Sequence, residues 1–210
     1  MTPRAALEMG LAEMSLALPP SSNDKLLRYT DLLAKWNRTY NLTAIRDPLE
    51  MITHHLLDSL AVVPHLAIPG KATLADVGSG AGLPGIPIAI ARPEWRVTLN
   101  DANQKKAAFL RQAAIELSLA NVEVYEGRVE TWNPAIRFAV VISRAFAELA
   151  QFVRLCRHLV APDGLLAAMK GADPAAEIAG VPADCNCGRV VPLKVPLVDA
   201  ARHLVLCKAA

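Results

Sequence analysis

Apolar positions along this chain follow two rhythms, and the change comes near residue 70. Before it the spacing is helical. Ser21-Ser22-Asn23-Asp24 is a capping cluster, and Leu26, Leu27, Leu32, Leu33 and Trp36 then recur at helical spacing. Asp47-Pro48-Leu49-Glu50 predicts a second helix start, with Pro in the first helical position and Asp before it. That helix carries Ile52, Leu56, Leu57 and Leu60 and sets Met51, His55 and Asp58 on other faces. Pro64 and Pro69-Gly70 end the helical region.

From Lys71 short β-rich runs alternate with helical ones. Strands are predicted at 72–77, 96–99, 122–125, 138–142 and 164–169, and helices at 84–91, 104–119 and 148–160. In the helix at 104–119, Ala107, Leu110, Ala114 and Leu117 share one face. This alternation predicts an α/β domain with a parallel, doubly wound sheet and right-handed crossovers. Two tail segments, 189–195 and 202–207, flank a short Pro/Asp stretch and predict an antiparallel hairpin at one sheet edge. The expected division is a helical extension over 1–70 and an α/β domain over 71–210.

Composition narrows the class. The 210 residues are 53% hydrophobic with a formal net charge of +2, the opposite of the disordered signature. The balance of 22 basic against 20 acidic residues excludes a histone-like surface, though a local basic face for nucleic acid stays open. No stretch approaches the run of about 18 apolar residues that spans a bilayer, and Arg4, Glu8 and Glu13 interrupt the N-terminal apolar positions where a signal peptide would be continuous. The expectation is a cytoplasmic protein without membrane contact. Cys156, Cys185, Cys187 and Cys207 are too few and scattered for a disulfide scaffold, so free thiols and no metal are expected. His54 and His55 are adjacent and point apart on a helix, and His55 with Asp58 reads as a local hydrogen bond.

The sharpest segment is Leu74-Ala-Asp76-Val-Gly78-Ser-Gly80-Ala-Gly82-Leu83-Pro-Gly85, a buried strand running into glycines and a helix. Glycines let the backbone approach a ligand, and a helix N-terminus suits an anionic group. Two cofactor readings compete. Gly80-x-Gly82-x-x-Gly85 satisfies the dinucleotide fingerprint, with Asp101 about 20 residues on. But the first glycine after the strand is Gly78, and in that phase Leu83 stands where the fingerprint needs glycine. Asp76, two residues before Gly78-x-Gly80-x-Gly82, instead resembles motif I of S-adenosylmethionine-dependent methyltransferases, where the acid lies near the cofactor's amino-acid portion. Asp101, ending the second strand, suits ribose hydroxyls in either reading.

An ordered set of motifs is more specific: Trp36-Asn37-x-x-Tyr40-Asn41-Leu42-Thr43, His55-x-x-Asp58-Ser59, the 76–87 segment, Lys105-Lys106 with Phe109-Leu110, Arg128-Val-Glu130, Ser143-Arg144-Ala145, Lys170-Gly171 and Arg202-His203-Leu204. Over about residues 25 to 208 it resembles the 16S ribosomal RNA guanine-N7 methyltransferase G family, also called glucose-inhibited division protein B. The resemblance implies a Rossmann-like class I methyltransferase fold, a mostly parallel seven-stranded sheet with an antiparallel C-terminal strand. It implies methyl transfer from S-adenosylmethionine to N7 of a guanine in the 530 loop of 16S rRNA. Rival readings are a methyltransferase of the same fold acting on another RNA, a protein or a small molecule, and a non-catalytic nucleotide-binding module.

Carried over by motif, Gly78 and Leu83 would line the cofactor's methionine end, with Asp76 and Gly80 beside it. Asp101 would hold the ribose, Val129 and Glu130 would flank the adenine, and Arg144 would face the methyl-transfer centre. Asn100 and Asn103 depart from the small or apolar residues expected beside Asp101. Guanine N7 carries no proton, so alignment and exclusion of water are needed rather than a general base. The common bidentate Arg contact to O6 and N7 would block the acceptor, leaving O6 alone, a phosphate or the cofactor carboxylate for Arg144. Arg128, Arg202, Lys170, Arg38 and Asn41 are the candidate RNA contacts, with Lys35 and Arg46 completing a basic face; Trp36 reads as packing. The expected partner is 16S rRNA in the small subunit or its assembly intermediate, met by a monomer.

Overall fold

Thr73 to Ala209 resolves into one seven-stranded sheet in the computed structural model, which describes residues 1–66, 68 and 70–209. The expected stop at Pro69 lies outside the described residues. Before the sheet come α1 (Pro3–Glu13), α2 (Ser22–Tyr40) and α3 (Pro48–Met51). α3 runs without a break through a π-helical turn, Ile52–Leu57, into α4 (Asp58–Leu60). Asp47 caps α3 as expected, accepting from the Leu49 and Glu50 N–H groups. Ser21 occupies the cap position of α2 but makes no side-chain capping bond, because its backbone is left-handed there (φ 64°). α1 has no counterpart among the expected elements. Its Thr2 hydroxyl accepts from the Ala5 N–H, and Pro3 opens the first turn.

The strands are β1 (Thr73–Val77), β2 (Arg96–Asp101), β3 (Val122–Glu126), β4 (Phe138–Arg144), β5 (Val160–Lys170), β6 (Cys185–Pro192) and β7 (His203–Ala209). They are interleaved with α5 (Gly85–Ala91), α6 (Gln104–Glu116), α7 (Leu149–Cys156) and α8 (Ala175–Ile178). Spatial order is β3-β2-β1-β4-β5-β7-β6. Pairings from β3 through β5 are parallel, and β7 is antiparallel to both its neighbours, so it alone runs against the rest. The helix expected over 148–160 stops at Cys156. A 3-10 turn, Arg157–Leu159, follows, and Val160 already belongs to β5.

Alternating strand residues feed two cores, as a sheet covered on both faces requires. Leu74, Val97, Leu99, Val140, Ile142, Leu204 and Leu206 pack with α1, α2, α5 and α6. Ala75, Val77, Val141, Leu166 and Val205 pack with α7 through Phe152, Val153 and Cys156. The N-terminal helices thus share one core with the sheet. Trp36 lies there as packing, edge-on to Phe109 at 5.5 Å and beside Tyr40.

This topology fixes the site. The last residues of β1, β2, β3, β4 and β5 end at one edge, and antiparallel β7 starts there, with His203 opposite Lys170. Between β1 and β4 the connections diverge to opposite sides, the switch point where α/β sheets bind ligands.

Candidate functional site

The turn after β1 is built by glycines and held by side chains. Gly78 has φ 68°, and a Cβ there would lie 2.5 Å from the Phe146 ring. Ser79 donates its hydroxyl to the Asp76 carbonyl, and Tyr29 of α2 donates its phenol to the Ala81 carbonyl. The helical extension therefore braces the loop directly. Burial pushes the Tyr29 phenol far up, so it stays a donor.

Asp76 is fully buried below this turn. Its Oδ2 accepts from the Gly85 N–H at 2.8 Å, while its Oδ1 is buried without a partner. Burial raises its pKa to about 7, against the opposing pull of the Gly85 N–H and the Ser79 hydroxyl. Asp101, at the end of β2, accepts from Gly80 N–H at 2.9 Å through Oδ2 and from Asn103 N–H at 2.8 Å through Oδ1. Each of its oxygens keeps a second lone pair for a diol. The two unexpected asparagines have structural work. Asn100 donates to the Gly127 and Tyr125 carbonyls, tying β2 to the turn after β3, and Asn103 caps α6. Val129 is buried in the next turn, and Glu130 beside it pairs with exposed Arg128 at 3.6 Å.

The second half of the site centres on Asp58, which lies outside the expected site residues. Its side chain is 4% exposed and meets two arginines: Oδ2 accepts from Arg144 Nη1 at 2.8 Å and Oδ1 from Arg202 Nε at 3.0 Å. The expected His55–Asp58 bond is absent. His55 Nε2 instead contacts the Thr43 hydroxyl at 2.8 Å, because the π-helical turn changes the angular offset between residues three apart. The same turn frees a carbonyl. The Asp58 N–H bonds the carbonyls of Thr53 and His55 and skips His54, whose carbonyl accepts from Arg144 Nη1 at 2.9 Å. Burial, then the Arg144 charge, lowers the His55 pKa to about 4, so that ring is neutral.

Arg144, Lys170 and Arg202 line one cavity of about 490 Å³ with His54, Asp58 and His203, at the carboxyl ends of β4 and β5. Lys170 donates to Glu177 at 2.7 Å and to the Ala147 carbonyl, so its position is fixed. Arg38 and Asn41 lie outside this lining. Asn41 ends α2 in a left-handed conformation, where its side chain accepts from Arg46. Arg128 is likewise apart, 77% exposed beside the β3 turn. The pairs that sequence alone does not disclose are those spanning the chain, Asp58 with Arg144 and Arg202; the signal for Asp58 is its place in the His55-x-x-Asp58 motif.

The free-thiol expectation fails in part. Cys187 and Cys207 form a disulfide between β6 and β7, since those strands set them face to face; Cys156 and Cys185 are free and buried. Among the described residues, no helix is long and apolar enough to cross a membrane.

Comparison with known proteins agrees with this geometry. The family model described as rRNA small subunit methyltransferase G matches residues 22–205. A ribosomal RNA small subunit methyltransferase G from Chromobacterium violaceum is 53% identical over 201 residues, covering 96% of this chain and 95% of its own. One of the same name from Burkholderia ambifaria is 52% identical over 200 residues, covering 93% and 88%. In fold, the chain is similar to a SAM-dependent methyltransferase from Aquifex aeolicus, with TM-score 0.59, 18% identity, and 83% and 97% coverage. The mouth above β1 and β2 fits such a cofactor. A Cβ at Gly80 would meet only the Gly78 carbonyl, at 3.8 Å; Asp101 offers ribose acceptors, and the orphaned Asp76 Oδ1 puts an acceptor beneath the loop. This chain belongs to the rRNA small subunit methyltransferase G family and is an S-adenosylmethionine-dependent methyltransferase.

Proposed function

We propose that this enzyme methylates N7 of a guanine in the 530 loop of 16S rRNA, in the cytoplasm, acting as a monomer on the small subunit or an assembly intermediate of it. The observation that carries this reading is the cavity where Arg144, Lys170 and Arg202 meet beside the glycine loop. Three cations against the engaged Asp58 and Glu177 carboxylates leave a positive site, which suits a phosphodiester and an electron-rich base.

When bound, S-adenosylmethionine supplies an electrophilic sulfonium methyl. The chain's own residues hold and align. Asp101 accepts from the ribose, and Val129 and Glu130 flank the adenine. Gly78, Leu83 and the Asp76-braced loop shape the methionine end. Arg144, held by Asp58 and the His54 carbonyl, keeps Nε and Nη2 for guanine O6 or a phosphate and leaves N7 open. Asp58, the single carboxylate lining the cavity, is held between two arginines, and no nucleophile–base pair is assembled there. A lone-pair nitrogen acceptor needs neither. Arg202 and Lys170 serve as phosphate contacts on the same rim, and Arg38, Asn41 and Arg128 as outer contacts.

The test is transfer of labelled methyl to naked 16S rRNA, to 30S particles and to assembly precursors, with mass mapping of the product. N7-methylguanine in the 530 loop is the expected result. Label at another base, or only on protein, overturns the reading.

A further inference from the structure

Three cysteine sulfurs gather at the pole of the sheet opposite the cofactor mouth. Cys185 and Cys187 are two apart on β6 and face the same side, and Cys207 comes from β7. Regular pairing matches Cys185 with Ala209 and Asn186 with Lys208; a register shift before Arg189 then sets a bulge beside Cys207. The Gly188 N–H bonds the Asn186 side chain at 2.9 Å, which holds the bulge. The three sulfurs lie within 4.8 Å of one another, and all three residues are buried. They belong to an apolar cluster that also holds Val160, Leu166 and Val205, with Ile178 and Val181 packed against it, and the charges within reach of Cys185 are those of Arg157 and Asp184.

We propose that, with the Cys187–Cys207 disulfide reduced, these three cysteines form a receptor for a soft trivalent ion, held by three sulfur bonds. Spacing allows it. Three sulfurs each about 2.3 Å from a central ion, the usual length of a metal–thiolate bond, lie roughly 4 Å apart. Charge selects the valence. Burying net charge in an apolar site is costly, and a trivalent ion is the one that three thiolates neutralise. A divalent ion would leave one negative charge and a monovalent ion two. Lys208 and Arg189, the nearest cations in sequence, are exposed, and Arg157, whose charge reaches Cys185, is already paired with Asp184 at 2.8 Å. Zinc further needs a fourth ligand, and the candidate set among the described residues has three members.

The chemistry balances in two steps. Two equivalents of a low-molecular-weight thiol, RSH, reduce the disulfide to two Cys–SH and leave as RSSR, carrying off the two oxidising equivalents. Arsenous acid, As(OH)₃, then exchanges its three hydroxyls for the three sulfurs. Each thiol proton leaves with a hydroxyl as water, giving neutral As(S–Cys)₃ and three waters. The bound ion would clamp edge strand β6 to β7, whose first residue, His203, lines the cavity at the other pole.

Arsenite is the probe. Thiol-reduced full-length protein, freed of reductant, is titrated with arsenite and followed by native mass spectrometry and by sulfur-to-arsenic absorption in the near ultraviolet. The expected result is one arsenic per chain with loss of three hydrogens, at least tenfold tighter in wild type than in Cys185→Ser. Cys156→Ser, outside the triad, should bind as wild type does, and the oxidised protein should bind none. Equal binding by Cys185→Ser shows a two-thiol site and overturns the proposal, as does absence of binding to the reduced wild type. Tighter binding of Zn(II) than of arsenite, in parallel titrations, overturns the charge argument. Thermal unfolding of the reduced variants without arsenite separates misfolding from loss of the site.

Discussion

Asp58 and Arg144 sit 86 positions apart in the chain and 2.8 Å apart in space. Asp58 also takes Arg202, so a single carboxylate sets the spacing of two guanidiniums across the cavity. Replacing it with alanine leaves two cations facing each other with no acid between them. Asp58→Ala should lower kcat on small-subunit substrate at least tenfold, with cofactor binding by calorimetry within about twofold. Truncating one partner of a largely buried pair should also cost about 2–4 kcal/mol in urea unfolding. Unchanged turnover with lowered stability would make Asp58 structural only.

Arg144 offers a cleaner separation. It is partly exposed, and Arg202 still pairs with the buried Asp58 carboxylate, so Arg144→Ala should keep the fold at a smaller stability cost than Asp58→Ala while losing more than about 100-fold in methylation. Arg144→Lys should recover little, because a point charge cannot serve the His54 carbonyl, Asp58 and substrate together. Near-normal turnover in the alanine variant would remove Arg144 from the site.

Two buried groups give opposite pH slopes. His55 falls from 6.5 to about 4 on folding, so the folded state binds fewer protons in that window and His55's contribution is lost as pH falls. Asp76 rises from 3.8 to about 7, so its contribution is present at low pH and lost as pH rises through 7. The stability gap between wild type and His55→Gln should therefore widen from pH 4 to 6.5. The gap between wild type and Asp76→Asn should shrink from pH 4 to 7. Urea melts of the cofactor-free protein at half-unit intervals measure both; parallel curves would contradict them.

Gly85 is a steric test of the loop. A Cβ there would collide with Leu99 and come within 2.7 Å of Asp76 Oδ2, in a fully buried spot. Gly85→Ala should cost about 1–3 kcal/mol by overpacking and weaken cofactor binding through the displaced Asp76. Gly180→Ala, where the added methyl meets only the Glu177 carbonyl at 3.6 Å, an ordinary van der Waals contact, is the control and should be silent.

Outer basic residues act through salt. Reversing charge at Arg38, Arg46 and Lys35 together should weaken RNA binding and flatten its dependence on salt, by about one unit of slope for each phosphate no longer neutralised. An unchanged slope would place the RNA elsewhere.

The α/β rhythm, the glycine loop and Asp101 at the strand end could be read from local pattern, because period and turn chemistry are local properties. The single reversed strand was legible for the same reason: a Pro-flanked hairpin closes on itself. What stayed hidden was set by distance or by a change of helical pitch. His55 and Asp58 look like one-turn partners on an α-helix. The π-helical turn at Ile52–Leu57 separates them and hands Asp58 to Arg144 and Arg202. The Cys187–Cys207 bond depends on a one-residue bulge near Gly188, which apolar periodicity does not mark. Asn100, a departure beside the ribose site by sequence, proves to be a tether between strands.

Strand order also bears on how this chain matures. β1 lies in the middle of the sheet, yet one of its flanks is filled only when Leu74 meets Val140. A chain emerging residue by residue, at about 5–20 per second, has β1 and β2 with that inner edge open for several seconds. The exposed edge is a template for mispairing with any neighbouring strand. The helical extension is synthesised first and packs on the same face as β1, so the apolar face of β1 has its cover in the chain before its inner edge has a partner.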